Sequence, residues 1–403
     1  MTTVSNSKER SGPCAGLKVL DFTTVISGPM CTQALGDYGA DVIKVESPFG
    51  DPSRYSGAPF REPGFSSFLS QFNRNKRSIV VDLKSDAGRE LILDLVTKVD
   101  VVAENFRPDV MDRLGIGYEV LCARNPSLVY VAINGFGRDG PYAELPAYDQ
   151  VMQGLVGLMP EQGGDGPPQL VQGAVADKST ALTALGGVLA ALLARERDPE
   201  RRGQRVEVAM INAFSAFSLP EPMMERTYPP LTSEVSTGKD FFRSWETADG
   251  YVVGLIIQDD QFAGVCRALE RPDLADDARF KTMVERFQNW LELVPLLDAE
   301  ISKIPSASFL EKARAYGAPF APVNSLDDFL VDPQAVHRQC VVAQEDPRFG
   351  TVQYVSPPVH FERTPASIER HAPRLGEHTD EVLKEFGVAA EAIVQLKEAG
   401  AVR

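Results

Sequence analysis

Residues 16–46 read GLKVLDFTTVISGPMCTQALGDYGADVIKVE, and the fold class follows from this stretch. GLKVLDF is a short apolar run of strand type. Pro29 then stands where the first turn of a helix accepts proline, MCTQALGDYG carries helical spacing to a glycine stop, and ADVIKVE is a second strand. Outward along the chain the pattern repeats. RSIVVDL (77–83) predicts a strand, SDAGRELILDLVTKV a helix capped by Ser85 or Asp86, and DVVAEN (100–105) another strand. PDVMDRLGIGYEVLCARNP (108–126) has helical spacing and LVYVAING (128–135) is extended. Such alternation implies parallel strands joined by right-handed crossovers: a doubly wound, Rossmann-like α/β sheet with ligands beyond the carboxyl ends of its strands.

Residues 137–176 are rich in Gly and Pro around one short apolar segment, as in an ordered loop over a site. DKSTALTALGGVLAALLARERD then predicts a long helix, apolar nearly all round and therefore buried, with Asp177 at its amino end and the strand QRVEVAM after it. From about residue 220, LPEPMMERTYPPLTSEVSTGKD is polar and punctuated by proline, as linkers are. DGYVVGLII looks like a hairpin-edge strand, and the amphipathic helices after it predict a small α+β domain over 221–330. Periodicity leaves open whether 331–403 forms a third unit or returns to the first. The opening MTTVSNSKERSGPC (1–14) reads as a disordered lead, since it has no apolar run of signal-peptide type.

The chain has 403 residues with 41 Lys and Arg against 56 Asp and Glu, a net charge of −15. That balance excludes a general nucleic-acid or anionic-membrane binder, so an anionic ligand must meet a local cluster of bases. NRNKRS (73–78), Lys84, Arg107 and Arg113 concentrate positive charge at strand ends or helix starts. The five cysteines are scattered, without a C-x-x-C pair, which predicts neither a disulfide framework nor a zinc site and fits a reducing cytoplasm. The four histidines all lie at or beyond His337, so the amino-terminal half has no imidazole acid, base or ligand. The run 180–194 is shorter than the ~20 residues of a membrane span.

A nicotinamide dehydrogenase is the obvious rival, because Glu46 ends the second strand as a ribose-binding acid would. The glycines oppose it: the first turn, TTVISGPMCTQALG, lacks the G-x-G-x-x-G that lets backbone approach a pyrophosphate. Asp177 has two readings, an ordinary N-cap or a carboxylate that unpaired amides and the helix dipole hold ionised for covalent chemistry.

The segments 16–54, NRNKRSIVVDLK, DVVAENFRPDVMDRLGIGYE, AYDQVMQGLVGL, the aspartate-led GGVLAALLARERDPERRGQRVEVAM and the closing RLGEHTDEVLKEFG occur in order across nearly the whole chain. Together they resemble the class III CoA-transferase family, the CaiB/BaiF group. The resemblance implies transfer of coenzyme A from an acyl-CoA donor to a free carboxylate, with Asp177 as the nucleophile and no tightly bound cofactor or metal. It implies coenzyme A contacts from Val81, Asp82, Leu83 and Lys84, from Asn105, Phe106 and Arg107, from Arg113, and from Ala147, Tyr148 and Asp149. Ile26 and Ser27 would line the pocket through backbone groups. Arg107 and Arg113 suit phosphates, because guanidinium forks match phosphate oxygens. The family also implies that 331–403 completes the large domain of 15–220, and that two ring-like chains interlock as a homodimer.

Departures from the family pattern narrow the expectation. Oxalate-using relatives carry glutamine where Ile26 stands, arginine where Ser47 stands, and a glycine run in the second domain; their absence argues against oxalate as acceptor. A racemase branch reads G-H-D where this chain has Ala147, Tyr148 and Asp149. Tyrosine, with an ordinary pKa of ~10, is a poor second base for inversion beside a thioester, which favours transferase over 2-methylacyl-CoA racemase. A non-catalytic CoA-binding protein is the remaining alternative. Phe241, Phe242 and Trp245 offer either an apolar wall for the acyl group or ordinary packing at the base of a hairpin.

Overall fold

The computed structural model describes residues 11–229 and 242–403. It divides into two compact units, one formed by the chain up to Met223 together with Cys340–Arg403, the other by Met224–Gln339.

The first unit is built on six parallel strands: β1 (Lys18–Asp21), β2 (Asp41–Glu46), β3 (Lys76–Val80), β4 (Val101–Glu104), β5 (Val129–Asn134) and β6 (Arg205–Ala209). Their order across the sheet is β3-β2-β1-β4-β5-β6. The chain winds one way from β1 to β3 and the other way from β4 to β6, so the topological switch point lies between β1 and β4. Alternate side chains feed two cores, as a period of two requires. Leu20, Val102, Tyr130 and Ala132 face one layer; Val19, Val101, Val129, Val131 and Ile133 face the other. The first layer includes Leu91, Ile92 and Leu95 of α2 (Asp86–Leu95), whose Ser85 caps the Gly88 amide at 3.0 Å, and Val382, Leu383, Phe386 and Ile393 from the carboxyl-terminal segment. The second layer includes α1 (Ser27–Asp37) and the long α4 (Val175–Arg197). A short helix between them, α3 (Asp149–Leu155), starts inside the segment expected to be loop.

Three expectations need correction here. The helical run 108–126 breaks into Val110–Arg113 and Tyr118–Arg124, because Gly115 takes a φ of +75°. α4 is not buried all round. Ala181, Ala184, Leu185, Val188 and Leu192 pack inward, whereas Leu182 and Leu193 are 57 % and 51 % exposed within the chain. In the second unit, Tyr251–Gly254 is not an edge strand; it lies between Ser244–Glu246 and Phe320–Pro322 in an antiparallel sheet. The partner strand Phe320–Pro322 comes from far along the chain, beyond the reach of local periodicity. Around that sheet Trp245 packs edge-to-face on Trp290, with Phe262 and Phe309, in the core of the unit.

Candidate active site

The loop from β1 into α1 is held by side chains at the end of β1, in β2 and in the loops that follow β2 and β4. Asp21 accepts the Thr23 amide at 2.9 Å, and the Lys44 ammonium donates to the Thr23 carbonyl at 2.7 Å. Asn105, just past β4, spans the switch point: its Oδ1 accepts the Thr24 amide and its Nδ2 donates to the Thr24 carbonyl, both at 2.8 Å. Asp51 accepts the Val25 amide at 3.3 Å, and Val25 sits at a φ of +72°, a conformation β-branched residues seldom adopt. Gly28 is required where it stands, since a Cβ there would lie 2.3 Å from the Thr23 Cβ. So constrained, the chain enters α1 with the amide and hydroxyl of Ser27 turned toward the Asp177 carboxylate, near enough to favour its charged form.

Asp177 lies in the first turn of α4 but does not cap it. Ala174, at the cap position, offers no side-chain bond. The capping carboxylate comes from Asp149 at the start of α3, whose Oδ2 accepts the Ala176 amide at 2.7 Å and the Asp177 amide at 3.3 Å. Gln153 donates to Asp149 Oδ1 at 2.6 Å and ties the Val171 backbone to the same corner through bonds of 3.1 and 3.0 Å. Asp177 is thereby placed where the amino ends of α1 and α4 meet.

The electrostatics reverse one expectation. A helix dipole alone would hold Asp177 ionised well into acid. Instead burial, followed by the nearby Asp149 charge, pushes its carboxyl up to about 6, and the two Ser27 donors only partly offset this. The group is half-buried, ionised at neutral pH and more basic than an ordinary aspartate, which suits a nucleophile.

The expected basic cluster at 73–78 is not a ligand site. Arg74 pairs with Asp37 at 2.7 Å, Lys76 with Asp21 at 2.9 Å, and Arg77 with Asp41, Glu381 and Glu385 at 2.6, 2.8 and 2.7 Å. Lys44 pairs with Asp51 at 2.8 Å. Glu46 gives both oxygens to Arg54, at 2.8 and 2.6 Å, so the acid that resembles a ribose ligand is already committed. Of these, the buried Lys76–Asp21 and Lys44–Asp51 pairs lie against the Thr23–Ser27 loop, with Asp21 and Lys44 bonded to Thr23, Asp51 to Val25 and Lys76 to the Pro29 carbonyl. Residue chemistry held a signal for them, since a Lys and an Asp inside apolar strands must find opposite charges.

The other expected residues fall in three places. Asn105 joins the loop anchorage, with Phe106 half-buried and Arg107 exposed beyond it; Arg113 is exposed too. Val81 is buried and bridges Val402, Asp82 donates its amide to Ala401 at 2.8 Å, Leu83 packs on the core and Lys84 is exposed. Ala147 is half-buried and Tyr148 exposed, leading into the buried Asp149. Ile26 lies half-buried beside Ser27. Trp245 belongs to the core of the second unit, Phe242 is exposed, and Phe241 is outside the described residues. No cluster of three or more His, Cys, Asp or Glu suited to a metal occurs among the described residues.

A doubly wound sheet with a half-buried carboxylate of raised pKa facing the loop at its switch point defines an α/β protein with a candidate ligand site beyond the carboxyl ends of its strands. The chain belongs to CoA-transferase family III, whose family model matches residues 14–379, and it is an enzyme with CoA-transferase activity. It is 35 % identical to a succinate–glutarate CoA-transferase of Agrobacterium fabrum, over 96 % of this chain and 98 % of that one. Against a formyl-CoA:oxalate CoA-transferase of Streptomyces avermitilis it is 34 % identical, covering 96 % and 98 %. The crystal structure of a CaiB/BaiF family protein from Brucella suis superposes with a TM-score of 0.78 at 33 % identity, covering 94 % of this chain and all of that one.

Proposed function

We propose that the enzyme moves coenzyme A between a donor acyl-CoA and a dicarboxylic acid by double displacement on Asp177. The observation that carries this reading is the place of Asp177 in the first turn of α4, where Asp149 takes over the cap and leaves the Asp177 carboxylate facing Ser27, with its pKa raised to about 6 by burial and the Asp149 charge. Asp177 attacks the donor thioester carbonyl; the C–S bond breaks, releasing the coenzyme thiolate and leaving a mixed aspartyl anhydride. The thiolate then attacks the aspartyl carbonyl, giving an aspartyl-CoA thioester and freeing the donor acid. The acceptor carboxylate displaces thiolate from that thioester to form a second anhydride, and thiolate attacks its acyl carbon to release the new acyl-CoA and regenerate Asp177. Each step replaces a poor exchange between two carboxylates with attack on an activated carbonyl. Ser27 stands ready to donate to the oxygen on which charge develops as the aspartyl carbonyl is attacked. The sequence of steps calls on no metal and no redox group.

Dicarboxylate acceptors are supported by the names of the relatives, which act with glutarate, succinate or oxalate. Missing Gln and Arg at Ile26 and Ser47 favour an acid longer than oxalate. Tyr148, where the racemase branch has histidine, weighs against inversion. Coenzyme phosphates are assigned to the exposed Arg107 and Arg113, with 81–84 and 147–149 along the same ligand. The exposed Leu182 and Leu193 on α4 and Phe217 beyond it support a homodimer, interlocked as the family resemblance implies. Free cysteines throughout the described residues fit a cytoplasmic location.

Incubation of the enzyme with succinyl-CoA and glutarate should yield glutaryl-CoA, and Asp177→Ala should abolish it. Hydroxylamine should derivatise Asp177 only when acyl-CoA is present; turnover by the alanine variant would overturn the assignment.

A further inference from the structure

Glu104 ends β4 at the switch point, is buried, and has no ion-pair partner among the described residues. Its Oε2 accepts the Phe106 amide at 2.9 Å and its Oε1 accepts the Tyr130 hydroxyl from β5 at 3.3 Å. It backs a small pocket at the carboxyl ends of β4 and β5, around which Arg107, Arg138 and Arg205 gather. Two of these cations are engaged. Arg138 pairs with Asp112 at 3.1 Å and Asp109 at 3.5 Å, and Arg205 faces Glu207 at 3.9 Å. Arg107, by contrast, is exposed and has no ion-pair partner among the described residues. Tyr118 closes the remaining side, edge-on to Tyr130.

We propose that Glu104 is a positioning residue that links proton uptake to coenzyme binding: once protonated it no longer competes with the ligand's phosphates for Arg107. This rests on the reading that Arg107 meets those phosphates. Burial pushes the Glu104 carboxyl up to about 7; the Phe106 amide, the Tyr130 hydroxyl and Arg138 pull it down, and Asp112 adds to the rise. The group therefore changes charge within the working range of a cytoplasmic enzyme. Ionised, it places beside Arg107 a negative charge that Arg138 compensates only in part, draws the guanidinium toward the pocket and repels an incoming phosphate. A polyanion and the proton on Glu104 consequently favour each other's binding, and by linkage the effect is reciprocal. Asn105, between Glu104 and Phe106, carries any shift of this loop to Thr24 and so toward Ser27.

The test is calorimetric titration of free coenzyme A, which needs no turnover at Asp177, into wild type, Glu104→Gln and Glu104→Ala at pH 6.5, 7.5 and 8.5. Glutamine copies the neutral acid, with a carbonyl for Phe106 and a donor for Tyr130. Relative to Glu104→Gln, wild-type affinity should fall about fivefold to tenfold between pH 6.5 and 8.5. In buffers of different ionisation enthalpy at pH 7.5, wild type should take up more protons than Glu104→Gln. Titration of the phosphates themselves is common to both proteins and cancels. Glu104→Ala should bind weakly at every pH because Phe106 is no longer held. Parallel pH responses and equal proton uptake in wild type and Glu104→Gln would overturn the role of Glu104 while leaving the transferase reading intact. No binding of coenzyme A to wild type at any pH would instead sink that reading.

Discussion

The carboxylate of Asp149 caps the helix that carries Asp177, accepting the Ala176 and Asp177 amides at 2.7 and 3.3 Å from a different helix. One carboxylate thus positions another and raises its basicity. Asp149→Asn keeps the shape but removes the charge, so the acid limb of the kcat/KM profile should move down, by about one pH unit or less at an effective dielectric of ~20. Asp149→Ala also uncaps the helix and should cost about 1 kcal/mol or more of stability in a denaturant titration. An unmoved acid limb in Asp149→Asn would exclude the electrostatic coupling.

On the proposed mechanism, Asp177 sets the acid limb of the activity profile. With its carboxyl at about 6, activity should fall as pH drops through that value, because the protonated acid is no nucleophile. The sign for stability is opposite to that of a salt-bridged aspartate. A folded-state pKa raised above the unfolded value gives stability that is present in acid and lost as pH rises through about 6. Asp177→Asn should therefore raise the melting temperature at pH 7.5 by a few degrees, on the order of 1–2 kcal/mol, and leave it nearly unchanged at pH 4. Scanning calorimetry of both proteins at the two pH values decides this.

Asn105 spends both ends of its amide on the Thr24 backbone. Asn105→Asp retains the acceptor for the Thr24 amide but loses the donor to its carbonyl, and Asn105→Ala loses both. Stability should drop by about 1–3 kcal/mol in the alanine variant and kcat should fall with it, since Ser27 is no longer held against Asp177. Melting curves and steady-state kinetics on the same samples test the link; a stability loss with unchanged kcat would break it.

The buried pairs beneath the loop should respond to acid and not to salt. Burial opposes the charge on Asp51, but the Lys44 ammonium and the Ser53 amide outweigh it and hold its carboxyl at about 2. Asp21, buried beside Lys76 and Lys44, is likewise held below its usual range. Carboxyls depressed in the folded state give stability that is full above about pH 4 and is lost as pH falls through the folded value. Unfolding should set in between about pH 4 and pH 2, with midpoints at neutral pH little changed by 0.5 M NaCl. Asp21→Asn, which strands the Lys76 ammonium, should cost about 3–5 kcal/mol.

The apolar face left open on α4 gives an assembly prediction. Light scattering should return twice the 44.0 kDa chain mass, and Leu193→Asp should weaken that species or prevent its formation. A stable wild-type monomer would rule out the interlocked arrangement.

How much was legible in the sequence follows from the range of the forces involved. Short apolar runs at 16–22, 40–46, 77–83, 100–105 and 128–135 with helical spacing between them report local burial, so the parallel α/β sheet could be read directly, whereas the strand order and the switch point between β1 and β4 came from the folded sheet. The absence of an amino-terminal histidine likewise removed imidazole chemistry from that half. Asp177 could be seen only as a carboxylate at a helix start, with an ordinary cap as an equally local explanation. Tertiary structure removed the cap reading, by bringing Asp149 across 28 positions to take the cap and leaving the Asp177 carboxylate to face Ser27. The same limit governed the bases at 73–78: as a string they form a positive cluster, but Asp21, Asp37 and Asp41 reach them only across strands of the folded sheet. Chain periodicity records which side of an element is buried; the sign and strength of a charge's surroundings depend on partners distant in sequence, which folding alone brings within a few ångströms.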